Sequence, residues 1–499
     1  MRDKRTIELL IVGILLACSS ALILSHLGNI YLWGDEAETA LLARAVMSHG
    51  LPLAYDGKNY ISELGGKDWG EDHVWKLQPW LPFYVLAGFF AVFGQSTFVA
   101  RLPFALIGIA TIVLTYYYST SLWRNRRAGF VSAVLLILCV PFLLLVRQCR
   151  YYAPAALLSL AGLYAFSGML ENRKRASSVF VLVAVLLSNT NYVSSAALLI
   201  TSVVYALIWR REKLKSVALA CAIAAALSLP EVVWFAGIKS SLSFVGTYAS
   251  RTLLSAGYYL IELSEHVFHP ALLALPAVAY VIHRARGKPV SPLSPAVQQN
   301  LPLLLLFIAV TVIVTSLTNQ WHFFRYLAPS IPVACIIAAR MIEPGMRVHW
   351  AVGVIVIGLL AWWWRMPDYL YEITHDFDGP TEGIVEYLNT HGSDSDIAIT
   401  NHDDIPLKFY TRMRIVGLNT GEDVGPARNA DWVIVRGRLL DADLEGARWL
   451  QSNIPWSEYE KITLAYPDTL YENREDPEEH IFRTSADAEP VVIYHRVVE

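Results

Sequence analysis

The chain consists mainly of long apolar runs separated by short clusters of basic residues. Many runs approach the roughly 20 residues that a helix needs to cross a bilayer. Of the 499 residues, 55% are hydrophobic and 17% charged, and the mean hydropathy is +0.41. Soluble proteins are only about 45–50% apolar. We therefore predict a polytopic α-helical membrane protein with about eleven spans, near residues 7–29, 99–122, 127–146, 152–170, 176–192, 193–209, 216–236, 267–283, 299–319, 325–341 and 348–364.

The basic residues predict how the chain is oriented. With a cytoplasmic N-terminus, five basic clusters fall on the cytoplasmic side, as the positive-inside rule requires. They are Arg124/Arg126/Arg127, Arg173/Lys174/Arg175, Arg210/Arg211/Lys213/Lys215, His283/Arg284/Arg286/Lys288 and Arg340/Arg347. We expect an inner-membrane, multi-pass protein with its C-terminal part outside. The net charge of −3 and the dispersed basic residues give no reason to expect a nucleic-acid partner.

The stretch 79–94 is apolar for only about 15 residues and has Pro79 and Pro82 near its start, which favours a helix in the interface over a span. The predicted outside face then contains a long first loop, about 30–98, and the segments 147–152, 237–266 and 319–325. All five cysteines lie in or at the ends of apolar runs, so the polar segments have no disulfide framework and no cysteine zinc site.

The composition changes sharply after residue 366. We predict a transmembrane domain over 1–366 and a small extracytoplasmic α/β domain over 367–499. Within the latter we expect a helix at 381–390, a short helix ending at Tyr410, and strands at 397–400, 414–416 and 432–435. The domain lacks a phosphate-binding loop, a nucleophile elbow and zinc spacing. Its expected role is to dock an acceptor.

Three acidic residues stand where the first span leaves the membrane, in the stretch 31–44. A charged side chain near the bilayer centre costs about 2.5–3.5 kcal/mol. Charges close to hydrocarbon are therefore expected to be paired, solvated or required for function. One interpretation makes Asp35 an ordinary helix N-cap, with Glu36 and Glu38 as solvated acids of the first turn. The other interpretation makes this stretch an active site.

A family resemblance favours the active site. The acidic stretch 35–37 (DEA), the stretch 78–84 (QPWLPFY), the stretch 93–103 (FGQSTFVARLP) and the stretch 325–329 (RYLAP) occur in this order. Together they resemble the protein O-mannosyltransferases and lipid A aminoarabinose transferases over roughly the first 170 residues. The resemblance implies the C-type glycosyltransferase fold, a polyprenyl-phosphate sugar donor and inverting transfer. It also implies that Asp35 of the Asp35–Glu36 catalytic pair is the base.

The chemistry of such a transfer agrees with these residue types. A carboxylate within hydrogen-bond reach can take the proton from an acceptor hydroxyl as it attacks. The leaving phosphate needs cations, and arginine binds phosphate in a bidentate manner. We predict that Arg147, Arg150, Arg325 and Lys76 bind the donor phosphate. The alternative for Arg147 and Arg150 is snorkelling toward lipid headgroups, and for Arg101 an anchoring role at a helix end is preferred.

Two positions depart from the family pattern. Gln78 stands before a single proline where relatives have Lys or His before two, and Tyr151 and Tyr152 stand where relatives often have Asp. We predict that Tyr151, Tyr152 and His322 contact the substrate. No cofactor and no metal site are predicted, although a divalent metal stays open. His73, which follows the acids Glu71 and Asp72, is more typical of a solvated loop than of a metal ligand.

We therefore predict an inverting glycosyltransferase that moves a sugar to a hydroxyl of an extracytoplasmic glycan, lipid or protein. A transporter or flippase of lipid-linked sugars is the alternative. It would need charged or broken helices at mid-membrane, for which Glu231, Asn189 and Asn191 are the nearest candidates. A membrane scaffold is a third class, but it leaves the acidic stretch and the outward arginines unexplained.

Overall fold

The computed structural model describes residues 2–62, 64–236, 251–285, 295–318, 322–418, 420–437, 444–469, 477, 479–484 and 488–497. The helices are α1 (Arg2–Leu24), α2 (Gly34–His49), α3 (Leu81–Phe93), α4 (Thr97–Trp123), α5 (Arg126–Leu138), α6 (Val140–Val146), α7 (Tyr152–Leu170), α8 (Ala176–Ser188), α9 (Tyr192–Trp209), α10 (Leu214–Ala236), α11 (Thr252–His266), α12 (Ala274–Ala285), α13 (Pro295–Thr318), α14 (Ser330–Val348), α15 (Trp350–Trp363), α16 (Met366–Glu372), α17 (Pro380–His391), α18 (Asp404–Tyr410) and α19 (Leu444–Asn453). The strands are β1 (Ile397–Thr400), β2 (Arg414–Gly417), β3 (Trp432–Val435), β4 (Tyr459–Pro467) and β5 (Pro490–Arg496).

Within the described residues, six helices are long and apolar enough to cross a membrane, and up to nine if each bent helix pair is one span. The chain is a multi-pass membrane protein, but the predicted count of about eleven is not confirmed. The two remaining predicted spans coincide with α8 and α14. With 13 residues, α8 rises only about 20 Å, against about 30 Å of hydrocarbon. The second half of α14 carries Arg340, Glu343 and Arg347.

The chain divides into two compact units, and unit 1 comprises Met1–Ser25, Phe104–Leu370 and Glu475–Pro477. Its described part is helical, and α7 with α8, α5 with α14 and α9 with α13 are close neighbours. Gly162 of α7 shows how tightly these helices pack, because a Cβ there would lie 2.4 Å from Leu198 of α9. Small residues that make room for a side chain of the neighbouring helix are typical of membrane helix packing.

Three helix pairs are bent in the described part of the chain, and the bend between α5 and α6 has a clear cause. The two helices meet at 68°. Cys139 between them has extended backbone angles, and Pro141 occupies the first turn of α6. Proline has no N–H to donate to the preceding turn, so α5 ends and a new helix begins. The break places Arg147 directly after α6.

Unit 2 comprises His26–Pro103, Tyr371–Arg474 and Glu478–Glu499. Its core is a five-stranded mixed sheet with the order β2-β1-β3-β5-β4. β1 pairs in parallel with β2 and β3, while β5 is antiparallel to β3 and β4. The predicted helices and strands of the C-terminal part are confirmed as α17, β1, α18, β2 and β3, and the α/β class is confirmed with them.

The first loop packs within unit 2 on elements of the C-terminal part. The backbone N–H of Ile415 in β2 donates to Asn59 Oδ1 at 2.8 Å, and Lys408 Nζ of α18 donates to the Tyr60 carbonyl at 2.6 Å. Lys408 is buried and also pairs with Asp404. Residues 26–103 thus share a compact unit with the C-terminal part, whereas the composition assigned them to the transmembrane domain. The predicted division at residue 366 stays a prediction.

Candidate active site

The acidic residues at the start of α2 are buried. Asp35 is 7% exposed, Glu36 0% and Glu38 2%. The helix begins at Gly34, and the capping position is taken by Trp33, whose side chain makes no capping hydrogen bond. The interpretation of Asp35 as an N-cap with solvated glutamates beside it is therefore wrong. A buried carboxylate must be compensated by partners, because removing it from water costs several kcal/mol.

Arg101 of α4 is the partner of Glu36. Its Nε donates to Glu36 Oε1 at 2.9 Å and its Nη2 to Glu36 Oε2 at 2.6 Å, which forms a bidentate ion pair. Both side chains are almost fully excluded from solvent. A buried, bidentate pair replaces the interpretation of Arg101 as a helix-end anchor at the membrane surface.

The same guanidinium also holds the segment that leads from the first span to α2. Arg101 Nη1 donates to the carbonyl oxygens of Leu27 at 3.0 Å and Ile30 at 2.7 Å, and its Nη2 lies 3.2 Å from the carbonyl of Tyr31. One arginine thus joins two parts of the sequence resemblance, the acidic stretch and the stretch 93–103. This arrangement fixes the backbone just before Asp35.

A second polar contact brings in the stretch 78–84. Gln78 Nε2 donates to Glu38 Oε1 at 2.8 Å. Gln78 is the residue that departs from the family pattern, and an amide is suited to this contact because it donates to the carboxylate without adding a charge. Lys76, predicted as a phosphate ligand, lies 3.5 Å from Asp72 Oδ1 within unit 2. Its role in binding phosphate stays a prediction.

Residues of the C-terminal part complete the surroundings of the α2 start. The ring of Tyr410 stacks on Tyr31 with centroids 4.0 Å apart, and its hydroxyl accepts from the Leu32 N–H at 2.9 Å. Glu382 Oε1 accepts from the Tyr31 N–H at 2.6 Å. Burial raises the pKa of the Tyr31 and Tyr410 hydroxyls, so both rings stay neutral at physiological pH.

Sequence reasoning did not find these contributions of Tyr410 and Glu382. Tyr410 is 378 residues from Leu32 along the chain, and no local pattern marks it. The Gln78 amide and Glu38 were also missed as a pair, although Gln78 lies in a stretch that carries the resemblance and Glu38 directly follows another. Their order in the sequence was the available signal.

The remaining predicted site residues belong to unit 1. Arg147 follows α6, and its Nη1 donates to the carbonyl oxygens of Leu22 at 3.3 Å, Ile23 at 2.9 Å and Ser25 at 2.8 Å, where α1 ends. A cation at this position complements the negative end of the helix dipole. Its guanidinium also lies 5.8 Å from the centroid of the Tyr369 ring. These contacts give Arg147 a structural role, and its binding of phosphate stays a prediction.

Arg150 and Arg325 are both buried beside aromatic rings. The guanidinium carbon of Arg150 lies 5.8 Å from the Tyr151 ring centroid, and that of Arg325 lies 4.1 Å from the Phe323 ring centroid. Such cation–π contacts orient a guanidinium while leaving its edge for hydrogen bonds. Tyr151 packs edge-on against the buried Tyr152, with ring centroids 4.7 Å apart.

His322 connects two segments of unit 1. Its Nε2 lies 2.6 Å from Ser255 Oγ of α11, and its ring contacts those of Tyr258 and Tyr259. The predicted substrate contact of His322 stays a prediction. The segments 237–250 and 319–321, parts of two predicted outside segments, lie outside the described residues.

Among the residues that the structure describes, one group of three side chains could bind a metal ion. Ligand atoms of Glu262, Glu265 and His266 lie within 4.8 Å of one another on α11. His73 takes no part in such a group there. Its ring packs against Tyr55, Tyr60 and Trp69 instead.

Part of the sequence matches a known protein family. Residues 77–234 match the sequence model of the dolichyl-phosphate-mannose-protein mannosyltransferase family. No curated protein sequence matches the chain.

Solved structures match over nearly the whole chain. ArnT from Cupriavidus metallidurans bound to undecaprenyl phosphate aligns with a TM-score of 0.56 at 14% identity, covering 97% of both chains. The apo form of the same protein aligns with a TM-score of 0.61 at 13% identity, covering 99% of this chain and 98% of that one. The oligosaccharyltransferase AglB from Archaeoglobus fulgidus, in complex with an inhibitory peptide and a dolichol-phosphate, aligns with a TM-score of 0.57 at 12% identity, covering 94% and 75%.

These matches confirm the resemblance and the fold class that the sequence predicted. At such identities the structural likeness establishes the fold, which is that of C-type glycosyltransferases. The family match covers the segment that runs from Leu77, beside Gln78, through Arg101 and on to Arg147 and Arg150. It therefore includes two of the four predicted phosphate ligands, Arg147 and Arg150, and excludes Lys76 and Arg325.

Proposed function

We propose that this chain is an inverting glycosyltransferase that moves a sugar from a polyprenyl-phosphate donor to a hydroxyl of an extracytoplasmic acceptor. The observation that carries the proposal is the convergence of three sequence stretches on the start of α2, through the Glu36–Arg101 and Glu38–Gln78 contacts. The family match over 77–234 and the ArnT-like fold support it. The transporter alternative gains no support from either comparison.

Asp35 is the general base in this proposal. Both oxygens of Glu36 accept hydrogen bonds from Arg101, and protonating Glu36 would break a buried ion pair. Asp35 precedes it in the first turn of the same helix and lies next to the backbone segment that Arg101 holds. Glu36, predicted as the second catalytic acid, acts here as a positioning residue through Arg101.

The leaving phosphate is assigned to the arginines of unit 1. Arg150 and Arg325 present planar guanidinium groups, which can bind two phosphate oxygens at once. Arg147 supports this region through its contacts with the end of α1, and Lys76 is the further cation. The matching structures support a lipid-linked donor, since ArnT was solved with undecaprenyl phosphate and AglB with a dolichol-phosphate. A glycan, a lipid and a protein all remain candidate acceptors.

The test of this function is sugar transfer by the purified chain in nanodiscs, with polyprenyl-phosphate sugars as donors and extracted cell-envelope lipids and glycans as acceptors. Asp35→Asn should lower turnover by about 10²–10⁴-fold, the usual contribution of a general base. Glu71→Gln, a change at an exposed acid of the same unit, should leave turnover unchanged. An Asp35→Asn protein with turnover within a few-fold of wild type would exclude Asp35 as the base.

The donor assignment is tested separately by the dependence of rate on donor concentration. Arg150→Ala should weaken donor use strongly, and Arg150→Lys should restore it only in part, because lysine cannot bind two oxygens with a planar fork. Arg175→Ala, at an exposed arginine, is the matched control. Equal donor dependence in wild type and Arg150→Ala would remove Arg150 from the site.

The orientation proposed for these residues has the N-terminus in the cytoplasm and the C-terminal part outside. A reporter that is active only outside should work when fused after residue 499. It should fail when inserted between Arg210 and Lys215. The opposite pattern would place the proposed active site on the wrong side of the membrane.

A further inference from the structure

Unit 1 contains a cavity of 490 Å³ where four of its helices end or begin. It lies at the last turns of α4, α7 and α9 and at the first turns of α13, and residues of all four line it. The arginines that line it come from three of the basic clusters predicted to be cytoplasmic. None of its lining residues belongs to the proposed active site.

The rim of the cavity carries three arginines, one from each of the first three helix ends, and one glutamate. Arg173 pairs with Glu171 at 2.7 Å and donates to Ser121 Oγ at 2.8 Å. Arg210 donates to Gln299 Oε1 at 3.2 Å and lies 3.6 Å from the carboxylate of Glu212, which does not line the cavity. Arg124 is exposed, and its side chain has no hydrogen bond or ion pair to any described residue. Glu171 and Glu212 offset two of these three arginines, so the group keeps a net positive charge.

The inner wall is built from buried aromatic side chains. The Tyr118 hydroxyl lies 3.2 Å from Ser167 Oγ, and the Tyr205 hydroxyl donates to the Gln299 carbonyl at 2.6 Å. Trp123 is 7% exposed, and its indole N–H meets no hydrogen-bond acceptor among the described residues. A buried donor without a partner is costly, and an acceptor within the cavity would relieve that cost.

We propose that this cavity binds the phosphate group of an anionic ligand, supplied by an anionic phospholipid headgroup or by free phosphate. Guanidinium groups form bidentate, charge-assisted hydrogen bonds with phosphate oxygens. Basic pockets between membrane helices at the cytoplasmic side are suited to phospholipid headgroups. The apolar side chains of Leu122 and Leu170, which also line the cavity, can contact the first carbons of an acyl chain.

Positive charge at these helix ends has a simpler explanation, since arginines offset helix dipoles and obey the positive-inside rule. That explanation applies equally to Arg127, which belongs to the same cluster as Arg124, is exposed and does not line the cavity. It also gives no reason for a buried indole N–H without an acceptor. Arg127 is therefore the matched control for Arg124.

The lipid source is tested with the full-length chain in nanodiscs of phosphatidylcholine with a minor fraction of phosphatidylglycerol. Native mass spectrometry counts the phosphatidylglycerol molecules retained per chain after release from the discs. Wild type and Arg127→Gln should retain the lipid, and Arg124→Gln should lower its apparent affinity about fivefold, the factor that corresponds to one basic residue at a membrane surface. Arg124→Gln combined with Arg210→Gln should abolish specific retention.

The free-phosphate source is tested in nanodiscs of phosphatidylcholine alone, where inorganic phosphate replaces chloride at equal ionic strength. A rise in unfolding temperature that Arg124→Gln removes and Arg127→Gln keeps would support the cavity with free phosphate as its ligand. Loss of lipid retention in Arg127→Gln as large as in Arg124→Gln would overturn the proposal, because general surface charge would then explain it. Absence of both lipid retention and phosphate stabilisation in wild type would also overturn it.

Discussion

An arginine stands near each end of α4, and the two lie in different environments. Arg101, in the first turns, is 3% exposed and forms a bidentate ion pair with Glu36. Arg124, directly after the last residue of the helix, is exposed and has no ion pair with any described residue. The first arginine organises the backbone that leads to Asp35. The second contributes charge to the rim of the cavity in unit 1.

The difference shows that burial decides what a charged side chain can do. A guanidinium taken out of water must be matched by an opposite charge and by acceptors for its N–H groups, as Arg101 is by Glu36 and three carbonyl oxygens. Its charge is then neutralised by a partner within the protein and is not available to a ligand. An exposed guanidinium is solvated by water, so it can exchange water for an anionic ligand at little cost.

The largest effect is expected when each of the two arginines is replaced by a neutral residue, which tests whether burial decides their roles. Arg101→Gln leaves Glu36 as an uncompensated buried charge, and we expect a loss of about 3–5 kcal/mol in the free energy of unfolding. Arg124→Gln should change it by less than about 0.5 kcal/mol, as is usual for surface substitutions. Thermal unfolding of the purified variants in one detergent measures both effects. Similar unfolding temperatures for the two variants would show that the burial argument is wrong.

A second variant sharpens the result for Arg101. If the ion pair is the cause of the loss, Glu36→Gln combined with Arg101→Gln should be less destabilised than the sum of the two single variants, by about 0.5–3 kcal/mol. Additive losses would mean that the contacts of Arg101 with Leu27, Ile30 and Tyr31 dominate instead.

A smaller effect is expected at the contact between Gln78 and Glu38. Gln78→Ala removes a hydrogen bond to a buried carboxylate, and such bonds contribute about 1.5–3 kcal/mol. Gln451→Ala, at an exposed glutamine in α19, is the control and should be neutral. If the two variants unfold at the same temperature, the Glu38–Gln78 contact does not hold the stretch 78–84 to α2.

The smallest effect is expected at Tyr410, which contacts both the start of α4 and the segment before α2. Its hydroxyl lies 2.7 Å from Thr97 Oγ1 and 2.9 Å from the Leu32 N–H. Tyr410→Phe keeps the stacking on Tyr31 and removes these hydrogen bonds, for a loss of about 0.5–1.5 kcal/mol. Tyr387→Phe, where the hydroxyl bonds to no described residue, should be neutral. A loss at Tyr387 equal to that at Tyr410 would argue against the assigned hydrogen bonds.

Much of the fold was predictable because it depends on local sequence. Apolar length identifies membrane helices, and alternation with turn residues identifies strands, so β1 and β3 have the predicted bounds. The number of spans was less predictable, since α8 is short and α14 carries three charged residues. α8 is apolar enough for a span but too short, whereas α14 is long enough but charged. A hydropathy pattern alone does not decide whether such segments cross the membrane.

Sequence alone determined the class of the protein, the identity of the acidic stretch and the order of the stretches that resemble the glycosyltransferase family. These features depend on side-chain chemistry and spacing within a few residues. Only the tertiary structure decided that Glu36 pairs with Arg101, that Gln78 donates to Glu38, and that Tyr410 stacks on Tyr31. Those contacts join residues 40 to 379 positions apart, and ion pairs and hydrogen bonds depend on distances of about 3 Å in space that spacing along the chain does not specify.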